Sequence, residues 1–241
     1  MSLYLLNCVA LFCFVTFWAG YTIFARKKAK TTDCLARSLN YHRIYWMYGV
    51  IKKTNRVGEA ALISNLERNI AFFASTTLLV LAGVLTLFSR TEQLQEVFHA
   101  IPYAALSDVA MYQLKLSILA LIFIVSFFKF TWSMRQYGFL NVMVGAAPID
   151  ESGLNEDLRA YARQMAKVHD QAAHSYNYGL RAYYFSIPVM CWFYHPLLSI
   201  FATIFVVHTL YNREFKSKAL IAITQAKMHL EDNKEKNFPD E

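Results

Sequence analysis

Charge is scarce in this sequence: Asp, Glu, Lys and Arg together make up 17% of 241 residues, while 56% are apolar and 16% aromatic. Soluble domains carry about 25% charged residues, so an ordinary water-facing surface is excluded and a chain that meets lipid is implied. Cysteine is sparse and unpatterned. Cys8, Cys13, Cys34 and Cys191 form no Cys-x-x-Cys pair and have no histidines at zinc-finger distance, which argues against a disulfide framework or a structural zinc. Phosphate loop, dinucleotide fingerprint, Gly-x-Ser-x-Gly elbow and His-Glu-x-x-His are all missing. His195 and His208 sit on one apolar limb while the three earlier apolar runs hold no histidine, so a bis-histidine haem is not expected. His169 and His174 are poorly placed to share a helix face and are read as solvated or core-lining. No cofactor, metal or catalytic residue is assigned. A separate basic domain is lacking too: the net charge of +7 is spread over short segments beside apolar runs, which favours a membrane topology signal over nucleic-acid binding.

What remains is a series of apolar runs. The first, 3–25, is about as long as a bilayer-crossing helix needs and is followed at once by Arg26-Lys27-Lys28-Ala29-Lys30. A cleavable signal peptide would carry its positive charges before the run, so this segment reads as an anchor with its N-terminus outside. The second, 70–89, contains no charge; the third, 114–134, is bracketed by Lys115 and Lys129, both long enough to reach towards head-groups. The last, 182–212, is interrupted by His195-Pro196 and forms either one kinked helix or two short limbs, 182–194 and 197–212. Lys and Arg number ten in 26–69, five in 135–181 and six after Asn212, whereas 90–114 holds only Arg90. Positive residues stay cytoplasmic in short loops, so the hairpin, with five crossings and a cytoplasmic C-terminus, is preferred to the kink with four. Proline then takes the first-turn position it tolerates.

The expected fold is therefore all-α: one polytopic membrane domain over 1–230 with helical cytoplasmic segments at 31–69 and 154–181, then a disordered tail, 231–241. Asn155 is an N-cap candidate with Glu156 and Asp157 behind it, and Leu158, Tyr161, Met165, Val168 and Ala172 recur at helical spacing. Glu59, Ile63, Leu66, Ile70 and Phe73 share a face, which extends the second span below residue 70. Asp33 is a candidate cap for a helix reaching towards Asn55.

Several motifs are shared with a known family. The stretches 41–47 (Tyr-His-Arg-Ile-Tyr-Trp-Met), 55–57 (Asn-Arg-Val), 72–77 (Phe-Phe-Ala-Ser-Thr-Thr), 127–137, 145–148 (Gly-Ala-Ala-Pro), 179–185 and 211–215 together resemble the bacterial membrane protein family known as domain of unknown function 599. The resemblance runs from about Tyr41 to Ser217 and implies a bacterial inner-membrane protein; it implies no activity. One departure is Gly58-Glu59 after Arg56-Val57, where the family pattern has an aspartate.

Two constellations stand out. Arg43, Trp46, Arg56, Lys129, Trp132, Arg135 and Arg181 fall at the expected cytoplasmic boundary, where cations hold phosphate, carboxylate or anionic lipid and where Arg, Lys and Trp also serve as plain interface anchors. Ser75, Thr76, Thr77 and Lys129 put polar groups on apolar helices, which need partners in lipid. The leading expectation is a small homo-oligomeric channel or transporter, favouring anions, with those four residues along its path. The alternative is a structural or assembly protein whose cytoplasmic helices dock a partner or gather anionic lipid. A membrane enzyme acting on lipid head-groups ranks third, since no nucleophile or base can be named.

Overall fold

The computed structural model describes residues 3–150 and 155–237. Among them are eight helices and no strand: α1 (Leu3–Thr31), α2 (Leu35–Ile51), α3 (Val57–Ser89), α4 (Thr91–His99), α5 (Val109–Ala146), α6 (Glu156–Tyr194), α7 (Pro196–Phe215) and α8 (Lys218–Asn237). The chain is all-α, as its apolar runs imply. Three helices, α1, α3 and α5, are long and apolar enough to cross a membrane. Each runs beyond its apolar stretch, because nothing at residues 26, 69 or 135 breaks the helix and the polar residues there simply continue it. α6 joins the expected cytoplasmic helix 154–181 and limb 182–194 into one helix of 39 residues with Pro188 inside it. α8 extends into the segment 231–241; residues 238–241 lie outside the described residues.

Helix ends follow local chemistry. Asn155 Oδ1 accepts from the backbone N–H groups of Asp157 (3.0 Å) and Leu158 (3.2 Å), and Glu156 and Asp157 place negative charge on the first turn of α6. α7 opens at Pro196, which lacks an N–H where none is needed, and His195 Nδ1 accepts from Leu197 N at 3.2 Å. Asp33 is not the cap of α2: the cap position is Cys34, in extended backbone, with no side-chain hydrogen bond.

The chain divides into two compact units. The first comprises 1–25, 70–131 and 175–210. Its core is aromatic and centred on α6. Phe185 meets Phe14 edge-on at 6.0 Å and stacks on Trp18 at 5.8 Å. Tyr183 lies among Phe73 (6.4 Å), Phe123 (5.2 Å) and Phe130 (5.9 Å). Such pairs contribute about 0.5–1.5 kcal/mol each beyond the area they bury. At the end of α6, Trp192 Nε1 donates to Asn7 Oδ1 at 2.7 Å, so both buried polar groups are satisfied. Gly179 is glycine because Phe130 presses on it: a Cβ there would stand 2.6 Å from the ring.

The second unit comprises 26–69, 132–174 and 211–241. Ala162, Met165, Ala166, His169 and Ala172 form the buried stripe of α6 here, and the Ala172 carbonyl accepts from Ser133 Oγ at 2.6 Å. α2 and α8 are joined by the Ser38 and Thr224 hydroxyls (3.2 Å) and by His42 Nε2 with the Ile223 carbonyl (3.1 Å). Arg56 closes the end of α5. Its guanidinium donates to the carbonyls of Val144 (2.9 Å), Ala147 and Pro148 (3.0 Å), and to Val50 (3.1 Å), occupying carbonyls that a helix end leaves without partners.

Gly179→Ala is expected to lower stability by about 1–3 kcal/mol, because Phe130 is wholly buried and has no free direction to move. Thermal unfolding measures this, and Phe130→Leu in the same chain should recover part of the loss; an additive double mutant would show that the two residues do not meet.

Candidate functional site

The expected boundary cations do not form one cluster. In the first unit, Tyr178 and Arg181 lie three residues apart on α6 and so share a helix face. Lys129 of α5 reaches the same place: its Nζ stands 5.9 Å from the Tyr178 ring centroid, and Arg181 Cζ stands 5.6 Å from it. Arg181 also lies 5.6 Å from the Tyr21 ring. Lys129 is exposed and Arg181 half-buried, and no ion pair involves Lys129 among the described residues. Two cations around one ring make a patch suited to an anionic group.

The three hydroxyls expected to line a path occupy consecutive positions, about 100° apart around the helix, so they cannot share one face. Thr76 and Thr77 donate back to the carbonyls of Phe72 (2.8 Å) and Phe73 (2.6 Å), and Thr77 also donates to Tyr183 Oη at 3.3 Å. Ser75 is exposed. No described contact joins these residues to Lys129.

In the second unit, Arg43 donates to Asp170 Oδ1 at 2.8 Å, and His174 Nε2 stands 3.3 Å from Asp170 Oδ2. Burial pushes the Asp170 carboxyl up, but the His174 hydrogen bond and the charges of His174 and Arg43 outweigh it and hold it below the ordinary carboxylate range. Trp46 and Tyr137 close edge-on over His169, at 5.3 and 5.5 Å. His169 Nδ1 has no hydrogen-bond partner. Burial first, and then the Arg43 charge, lower the His169 imidazole to about 3, with Asp170 opposing, so the ring is neutral at physiological pH. Trp132 and Arg135 both contact Phe139, at 6.5 and 5.8 Å, and are exposed. Glu59 pairs with Lys53, and Arg56 is committed to backbone carbonyls. Arg43 and Arg56 are thus occupied by the fold itself.

Lys115 is where the structure departs furthest from expectation. It does not reach out to head-groups: it is fully buried, with its Nζ facing the rings of Tyr112, Trp192 and Phe193. Two of those rings lie far along the chain on α6, so no spacing near Lys115 announces them. His169 does have a local signal, since it stands four residues after Met165 and three before Ala172, within the seam.

Eight helices, three of them long and apolar enough to span, are compatible with a membrane protein. More particularly, the chain belongs to the family described as "Protein of unknown function, DUF599", whose model matches residues 9–219. All the motifs noted between Tyr41 and Ser217 fall inside that match. No curated protein and no solved structure matches the chain.

The depressed His169 fixes the sign of an acid effect. Below pH 6.5 the unfolded chain binds a proton that the folded chain refuses until about pH 3, so His169 makes stability fall as the pH drops through that window. Unfolding measured from pH 7 to pH 4 should show a shallower acid limb in His169→Phe; an identical limb would mean that the wild-type imidazole protonates in place.

Proposed function

We propose that this chain is an integral protein of the bacterial inner membrane that serves as a membrane-embedded interaction protein and holds an anionic lipid head-group beside Tyr178. The observation that carries the reading is the pair of cations, Lys129 and Arg181, facing one aromatic ring. Lys129 is 20 residues into α5, a rise of about 30 Å, which is the thickness of a hydrocarbon core. A cation at that height is positioned for a phosphate at the head-group level, and a tyrosine beside it suits the same level. Arg43 and Asp170 are taken up by their mutual ion pair and His169 is enclosed by Trp46 and Tyr137, an arrangement that favours a structural role for these residues.

The topology we propose has the N-terminus periplasmic, a turn at His195-Pro196, five crossings and the basic C-terminal segment cytoplasmic. Contacts within the first unit support the turn. Phe185 meets Phe14 and Trp18, and Trp192, further along α6, bonds Asn7, so α6 runs antiparallel to α1 and ends beside its start, where Pro196 opens a new helix. A reporter fused after Glu241 that reads periplasmic would contradict this topology.

A second reading, an oligomeric anion channel or transporter, draws on Ser75 and Lys129 being exposed on apolar helices. Polar groups facing lipid are costly, and a second copy covering Ser75 and Lys129 would remove that cost, while Thr77, buried within the chain, stays out of the path.

One reconstitution addresses both readings. In nanodiscs, Lys129→Ala combined with Arg181→Ala should weaken preference for anionic over zwitterionic lipid by roughly 10- to 30-fold, at about 1 kcal/mol per cation. An unchanged preference would overturn the head-group reading. Ion efflux from proteoliposomes of an oligomer, lost in Lys129→Ala, would favour the channel instead.

A further inference from the structure

Lys115 stands apart from the head-group patch. It is 0% exposed in the first turns of α5, yet its ammonium carries three donors. Its Nζ meets Ser107 Oγ at 3.5 Å, the long limit of a hydrogen bond. The ring centroids of Tyr112, Trp192 and Phe193 are 5.2, 5.6 and 5.8 Å away. These distances approach the outer limit, about 6 Å, at which a ring attracts a cation, so the rings shield the charge without saturating it. Tyr112 forms one wall of this cage, and its own buried hydroxyl has no hydrogen-bond partner.

The connection between α4 and α5 covers the cage and is pinned from several sides. Ala105 N donates to the Tyr194 carbonyl (2.8 Å), Tyr194 Oη to the Pro102 carbonyl (3.0 Å), and Gln95 Nε2 to the Ser107 carbonyl (2.9 Å). Asp108 is the carboxylate whose field reaches Lys115. It is exposed and accepts from Met111 N at 3.3 Å, and no ion pair joins it to Lys115 among the described residues. The cage therefore holds an ammonium and the Ser107 hydroxyl, and the Tyr112 ring that walls it carries a second buried hydroxyl without a partner: donors in need of an acceptor, in surroundings of low dielectric that make an unpaired charge costly.

We propose that Lys115, Ser107 and Tyr112 form a binding site for a small monovalent anion of halide size. A single cation neutralises a single charge, the two hydroxyls supply further donors, and the aromatic walls with the pinned connection exclude anything large or strongly hydrated. The site is independent of the head-group reading, and its test uses zwitterionic lipid so that the two do not mix.

The experiment is thermal unfolding of the full chain in zwitterionic nanodiscs, titrated with sodium chloride or bromide against sodium gluconate at constant ionic strength. A saturable rise in unfolding temperature with halide, absent in gluconate and lost in Lys115→Met, is expected. Tyr112→Phe keeps the ring and should raise the half-saturating halide concentration roughly tenfold. Asp108→Asn keeps the cap, removes a repelling charge and should lower it. Equal unfolding temperatures in halide and gluconate would overturn the site, since water or a neutral amine would then suffice. A halide shift that survives Lys115→Met would overturn it as well. Should Lys115→Met not fold, unchanged half-saturation in both Tyr112→Phe and Asp108→Asn would overturn the site in its place.

Discussion

The buried polar and aromatic side chains of α6 must find partners, and the rest of the structure answers that constraint. An indole N–H or a carboxylate taken out of water without a partner costs kilocalories. Trp192 finds Asn7, Asp170 finds Arg43 and His174, and the Ala172 carbonyl takes the Ser133 hydroxyl. The aromatic residues of α6 draw in the apolar helices: Phe185 those of α1, Tyr183 those of α3 and α5. The most apolar stretches of α1 and α3 are only 22% buried within the chain, against 39% for α5. α1 and α3 are thus the helices suited to meet lipid, and α6 is the one that needs company.

The two proposed ligand sites would inherit this arrangement. Tyr178 and Arg181 are residues of α6, brought to Lys129 because Gly179 lets the Phe130 ring, next to Lys129 in sequence, approach the helix closely. Trp192 and Phe193, also of α6, wall in Lys115. Both sites therefore depend on how α5 packs along α6, one near each end of their contact in the first unit. A change that loosens the Phe130 contact would be felt at the head-group patch first, since Lys129 is its neighbour.

Much of this fold is legible in the sequence. The runs 3–25, 70–89 and 114–134 need only length and composition, and Asn155 and Pro196 announce helix starts because caps act through neighbouring residues. Where each helix stops is hidden, since α3 and α5 continue through polar residues that are good helix formers and meet no breaker. Asp33 looks like a cap but stands one position before Cys34, and the sequence around it does not fix that register. The fate of each cation is the least legible. Arg56 ends on the carbonyls of Val144, Ala147 and Pro148, Arg43 on Asp170, and Lys115 in an aromatic cage; each of these relies on partners from another helix. A lysine near the end of an apolar run can reach outward or be enclosed, and only the packing of α6 decides which.

The enclosure of α6 is tested most directly by quenching with brominated acyl chains. In a chain whose other tryptophans are replaced by phenylalanine, Trp192, 1% exposed, should keep its emission, whereas a sole tryptophan introduced by Phe201→Trp, at a position 68% exposed on α7, should be strongly quenched. Equal quenching of the two would mean that α6 faces lipid, and the packing that creates both sites would not exist.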